Sequence, residues 1–411
     1  MKINKHCFPN GLRLVHYEDT STQMVALNIV YDVGARDEHP EHTGFAHLFE
    51  HLMFGGSAHI PDYDTPLQLA GGENNAWTNN GITNYYLTVP KPNVETAFWL
   101  ESDRMLELAF SEQSLEVQRG VVMEEFKQRC LNQPYGDVGH LFRPLAFRVH
   151  PYRWPTIGKE LSHIEQATLD EVKSFFYRFY APNNAVLAVT GNISWDETVK
   201  LTEKWFAPIP RRDVPVRQLP QEPEQTQERR LTVERNVPLD ALFMGYHMCS
   251  REGADYYAFD ILSDILSNGR SSRLNRRLVQ EQNIFSGIDA YISGTRDAGL
   301  LQISGKPAAG VSLEQAEAAV RKELEELQRS PVDGQELEKV KNKFESTQIF
   351  GNINYLNVAT NLAWFELTGK AEDIDLEVER YRSVTTEQLH TVAQRTFCES
   401  NAVVLYYKSD K

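Results

Sequence analysis

One segment occurs twice in this chain, and it limits the possible folds more than any other feature. Residues 168–186 align without a gap on residues 385–403, at an offset of 217 positions. Thr168/Thr385, Arg178/Arg395, Asn184/Asn401, Ala185/Ala402 and Val186/Val403 are identical, and Val172/Leu389 and Tyr180/Phe397 are apolar in both. A repeat of this spacing implies two copies of one folding unit. Length alone would allow two to three domains for 411 residues; the repeat selects two. Between the copies, 208–228 carries Pro208, Pro210, Pro215, Pro220 and Pro223 among Gln, Glu and Arg, with little to bury. This stretch reads as a linker. The expected domains are therefore 1–207 and 229–411.

Local patterns give each half the same order of elements. Segment 11–33 reads as two strands, 82–89 as a strand, and 92–109 and 112–131 as helices. Thr168 with Glu171 three residues later has capping-box spacing and opens a helix over 168–180, followed by a strand at 185–190. In the second half, strands are expected near 230–248 and 284–304, with helices at 254–268, 312–329 and 334–368. Strands and helices alternate without a strict βαβ rhythm. The expected class is α+β: two homologous α/β sandwich domains, each a mostly antiparallel sheet packed against helices.

Composition excludes several classes of function. A net charge of −15 argues against general nucleic-acid binding, which needs clustered positive charge. No stretch approaches about 18 consecutive apolar residues, so no membrane-spanning helix is expected. Cys7, Cys130, Cys249 and Cys398 are far apart and form no C-x-x-C pair, which argues against a disulfide framework or a Cys-based zinc site. The first ten residues have no apolar h-region. The expected location is the cytoplasm, or the periplasm if a leader has been removed.

The densest chemistry lies in Gly44-Phe-Ala-His47-Leu-Phe-Glu50-His51. On a helix, His47 and His51 stand one turn apart and project from one face. Two such imidazoles can share a tetrahedral zinc, with Glu50 beside the metal as a proton acceptor. The order H-x-x-E-H is the reverse of H-E-x-x-H. A third ligand is needed, and the helical segment 115–126 offers Glu116, Glu124 and Glu125. Helical phase groups Gln118, Val121, Val122 and Glu125 on one mostly apolar stripe, which would turn Glu125 inward. A carboxylate buried there needs a proton, a cation or a metal. Glu116 and Glu124 fall off the stripe and read as solvated.

With these residues in place, the chain resembles the pitrilysin/insulinase family of zinc peptidases over nearly its whole length, most closely the short-chain members such as processing peptidases and their bacterial relatives. The motif from Gly44 to His51, followed by Arg119 to Glu125 with Glu125 74 residues beyond His51, is similar to the family pattern. The resemblance implies that His47, His51 and Glu125 are zinc ligands and Glu50 the general base. Gly71–Thr78 followed by Thr83-Asn84-Tyr85 resembles the family's substrate-holding edge strand, which implies substrate contacts at Asn75, Ala76 and Thr78. Gln118 stands where relatives often carry an acid, and it is assigned only a supporting hydrogen bond near the metal. An Arg/Tyr pair that many relatives use to hold substrate falls here on Val279 and Ser286; Arg277 and Tyr291 are out of register.

The expected function is a Zn2+-dependent endopeptidase that hydrolyses peptides or unfolded segments in a clamshell chamber. It would act as the catalytic subunit of a dimer, either a heterodimer in which a homologous chain supplies the missing Arg/Tyr pair or a homodimer. The alternative is a non-catalytic scaffold or assembly subunit of a peptidase-like complex.

Overall fold

The two copies of the repeat form the same unit in the computed structural model, which describes residues 1–410. Thr168 Oγ1 accepts the Glu171 amide, and the Glu171 carboxylate accepts the Thr168 amide, which starts helix Leu169–Phe179. Thr385 caps helix Thr386–Thr396 by accepting the Gln388 amide. Each helix leads through a 3-10 turn, Pro182–Asn184 or Glu399–Asn401, into a strand that begins with Ala185 or Ala402. Every one of these starting points is displaced by the same 217 positions.

The first sheet has six strands: β1 (Ile3–Cys7), β2 (Arg13–Glu18), β3 (Met24–Tyr31), β4 (Glu73–Thr78), β5 (Thr83–Pro90) and β6 (Ala185–Gly191). Their spatial order is β1-β2-β6-β3-β5-β4. The second sheet has five: β7 (Arg229–Arg235), β8 (Ala241–Met248), β9 (Phe285–Ile292), β10 (Gly299–Pro307) and β11 (Ala402–Ser409), in the order β7-β11-β8-β10-β9. Apart from β1, the two orders are the same. Each sheet has one parallel pair, β2 with β6 or β7 with β11, at the equivalent place, and is otherwise antiparallel. The fold is α+β, as expected.

Side chains alternate across β3 and β6. Val25, Leu27, Ile29, Leu187 and Val189 enter a core with the helices that follow β3 and β5. Ala26, Val30, Val186 and Ala188 face the other way, onto Val358, Ala359, Leu362 and Ala363 of helix Tyr355–Thr368. Both faces of the first sheet are covered, which explains why its strands are apolar almost without interruption.

Three expectations need correction. The segment 334–368 is two helices, Gly334–Gly351 and Tyr355–Thr368; Asn354 accepts the Leu356 and Asn357 amides and so restarts the chain as a new helix. The stretch 208–228 has no helix or strand, but it is fastened along its length. Arg212 donates to the carbonyls of Tyr180 and Leu106, Arg217 grips Asp32 and Asp37, and Gln225 donates to the carbonyls of Ser400 and Ala402. Finally, the compact units are not continuous in sequence. One unit comprises Met1–Leu131, His150–Pro220 and Ile349–Leu376; the other comprises Asn132–Val149, Gln221–Gln348 and the chain from Glu377 on. Helix Tyr355–Thr368 thus belongs with the first sheet, and helix Val138–Ala146 with the second, where Phe142 packs against Gly245 of β8. The two helices start at positions related by the repeat offset, so the sequence halves exchange equivalent helices.

Candidate metal centre

The His-pair helix spans Phe45–Leu52. Its cap is Gly44, at φ +88°, where only glycine is free of strain. A Cβ there would also meet Ile164 Cδ1 at 2.7 Å and the Ile157 carbonyl at 2.8 Å. Phe45, Leu48, Phe49 and Leu52 bury the helix in the core, and the Tyr85 hydroxyl donates to the Phe49 carbonyl at 3.3 Å. With those positions turned inward, His47, Glu50 and His51 are left on another face. The two imidazole centroids are 4.9 Å apart and nearly perpendicular.

Helix Glu112–Phe126 brings Glu125 to them. Its buried contacts are Leu115, Val122 and Phe126. Val121, expected in the buried stripe, is 46% exposed, so the inward stripe is narrower than periodicity suggested. Glu125 Oε2 lies 3.5 Å from His47 Nε2 and 3.3 Å from His51 Nε2. Glu116 instead pairs with Arg119, and Glu124 with Lys127, both at the surface.

These distances fit a zinc ion. Tetrahedral bonds of about 2.0–2.1 Å separate neighbouring ligand atoms by about 3.3–3.4 Å. One donor atom from each of His47, His51 and Glu125 lies within 4.8 Å of the other two, and among the described residues no other group of three His, Cys, Asp or Glu does so. Burial lowers the His47 pKa to about 4, so its imidazole is the neutral form that a ligand requires. Hydrogen bonding to His51 holds the Glu125 carboxyl below its ordinary range, against the effect of burial. Three lone-pair donors converging in this way call for a cation between them. One feature is unusual: His47 Nδ1 is buried without a hydrogen-bond partner, whereas ligand histidines commonly donate from the second nitrogen.

Burial raises the pKa of Glu50, which suits a proton acceptor better than an ordinary surface carboxylate. The Thr78 hydroxyl lies close enough to stabilise that carboxylate, yet it is buried without a geometrically formed hydrogen bond. Thr78, Asn75 and Ala76 are on β4, an edge strand of the first sheet, which packs against the His-pair helix. The Ala76 amide is not engaged by a neighbouring strand; it donates to Asn75 Oδ1 at 2.8 Å. Gln118 makes no side-chain hydrogen bond among the described residues, and its Cγ lies near Gly55. In the second unit, Arg277 is held by Glu323, at 2.6 Å, and Glu326.

Two residues near the ligands were missed in the sequence. Arg129 Nη2 contacts Glu125 Oε1 at 2.9 Å. Its i+4 spacing from Glu125 was an available signal. Glu38 accepts the Gly44 and Ala46 amides, and no local pattern marks it. Burial pushes its carboxyl up to about 8, against the pull of those two amides.

Known proteins are similar to this chain over nearly its whole length. The family model described as insulinase (peptidase family M16) matches residues 13–137, and the one described as peptidase M16 inactive domain matches 166–344. Zinc protease PqqE of Helicobacter pylori is 26% identical over 405 residues, covering 97% of this chain and 91% of that protein. An uncharacterized zinc protease of Bacillus subtilis, YmxG, is 25% identical, covering 98% of both. The crystal structure of a Helicobacter pylori protease superposes with a TM-score of 0.94 at 26% identity, covering 99% of each chain. The periplasmic protease PqqL of Escherichia coli shares the fold, with a TM-score of 0.81 at 18% identity, but this chain spans only 47% of its length. Family matches in both halves, joined by relatives aligned from end to end, place the chain in the pitrilysin/insulinase family of peptidases, M16.

Proposed function

We propose that this chain is a zinc-dependent endopeptidase that cleaves peptides or unfolded segments, with His47, His51 and Glu125 holding the metal and Glu50 as general base. The observation that carries this reading is the convergence of His47, His51 and Glu125, with the Glu125 oxygen at tetrahedral spacing from both imidazoles, beside the half-buried carboxylate of Glu50. Relatives named zinc proteases support it. A bound zinc would supply Lewis acidity toward the scissile carbonyl and make water easier to deprotonate. Glu50 takes the water proton and hands it to the departing amine. An extended substrate adds to the open edge of β4, where its carbonyl replaces Asn75 Oδ1 on the Ala76 amide.

The chain would work as the catalytic subunit of a dimer. Val279 and Ser286 stand where the Arg/Tyr pair was expected, and the guanidinium of Arg277 is already committed to two carboxylates. PqqL carries about twice this length in one polypeptide, which is consistent with a need for two such chains. Its periplasmic location belongs to PqqL; here, no helix among the described residues is long and apolar enough to cross a membrane.

The deciding experiment compares Glu50→Gln with the parent chain for zinc content and for cleavage of a quenched peptide, each alone and with a homologous partner. Equal zinc and a loss of about 10²–10⁴ in rate are expected. Unchanged cleavage at equal zinc would refute the mechanism. Bound zinc without cleavage under any partner condition would favour the scaffold alternative.

A further inference from the structure

Glu38 takes no part in the proposed chemistry, yet it is buried at the head of the helix that carries His47, Glu50 and His51. Both of its carboxylate oxygens are used. Oε2 accepts the Gly44 amide at 2.9 Å, and Oε1 accepts the Ala46 amide at 2.8 Å. Amides at a helix start have no partner within the helix, and the Gly44 cap has no side chain to offer one. The carboxylate from six residues upstream does the work of the missing cap. His47 follows Ala46 directly. Its own Nδ1 has no hydrogen bond, so no bond from that nitrogen fixes the ring, and the backbone turn that Glu38 secures helps to set where it points.

The segment carrying Glu38 is itself anchored. Ala35 and Arg36 donate their amides to the carbonyls of Asn79 and Asn80 at 3.1 and 2.8 Å. Trp154 Nε1 donates to the Ala35 carbonyl at 2.9 Å. Asp37 accepts the Gly34 amide at 3.0 Å and Arg217 Nε at 2.5 Å, and Arg217 also donates to the Asp32 carbonyl at 2.8 Å. Glu38 therefore projects from a fixed base.

We infer that Glu38 is a positioning residue for the metal centre, holding the first turn of the His-pair helix so that His47 Nε2 stays within ligand range of Glu125. The metal part of this inference rests on the zinc reading above; the capping part does not.

The test uses the full chain with Glu38→Gln, which keeps the shape but loses one acceptor, and Glu38→Asp, which keeps the charge but shortens the reach. Thr168→Ala, which removes a cap from a different helix of the same unit, is the control. Zinc affinity is measured by competition with a chelator above pH 8, the carboxyl's value being about 8. Amide exchange over residues 44–47 is measured in metal-free protein. Glu38→Gln should weaken zinc about tenfold and speed exchange at 44–47 about fivefold, with Glu38→Asp intermediate and Thr168→Ala within about twofold of the parent chain for zinc. Parental zinc affinity in folded Glu38→Gln, or an equal loss in Thr168→Ala, overturns the inference. If the parent chain takes up no zinc, the zinc reading fails instead. The exchange measurement then decides the cap alone, and unchanged exchange overturns it.

Discussion

Gly44 shows how much one residue decides at this centre. It turns the chain through a left-handed conformation into a short helix whose next residues include a proposed ligand, and its missing Cβ leaves room for Ile164 and the Ile157 carbonyl. Gly44→Ala should cost about 2–3 kcal/mol through strain and overlap together. Gly120, in the exposed middle of helix Glu112–Phe126, has nothing within 4 Å of its Cβ position. Gly120→Ala should stabilise by about 0.5–1 kcal/mol, because an interior helical glycine only adds entropy to the unfolded chain. Thermal melting of the two variants checks the pair; a melting temperature that moves the same way in both would refute the argument. The proposed ligands were readable at this scale. Helical spacing put His47 and His51 on one face, and the phase of Val122 turned Glu125 inward. Arg129 was readable by the same rule, but a salt bridge and a metal ligand ask the same spacing of Glu125, and spacing cannot rank them.

Among the elements, β4 matters most for the proposed activity. It is an edge strand, and its Ala76 amide is covered only by the neighbouring Asn75 side chain. A proline is tolerated on an edge when the lost N–H faces away from the ladder. Ala76→Pro should therefore raise KM about fivefold, the worth of one substrate hydrogen bond, while zinc content stays constant. An unchanged KM would show that substrate does not pair along this edge. The small and polar residues of β4 were local signals, whereas its edge position was implied by the family resemblance alone and is met in the sheet order. That position depends on which strands pair, and β4 is adjacent to β5 while β3 pairs across more than fifty residues of chain.

For the whole molecule, the exchanged helices set what can be separated. The second face of the first sheet, with Val30, Val186 and Ala188, is covered by Val358, Leu362 and Ala363 from far along the chain. A fragment ending at Pro220 leaves that face open and should be insoluble or lack cooperative melting. Co-expression with a segment that includes 349–376 should recover soluble, cooperatively melting protein. A soluble fragment 1–220 with parental melting would contradict this account of the core. Cutting in the proline-rich stretch, the natural choice from sequence, meets one unit boundary at Pro220, but it isolates neither unit, because each also takes a segment from the other half of the chain.

By itself, the sequence determined that two copies of one α+β unit are present, where their capped helices begin, and which side chains could form a zinc site. Each of these depends on residues a few positions apart, or on direct comparison of two segments. The tertiary structure alone decided which sheet each exchanged helix covers and that Glu38 caps the His-pair helix. Those outcomes depend on contacts between distant segments. An apolar helix such as 355–368 carries a surface that must be buried, but its local pattern does not say against what; complementary packing with one sheet face does.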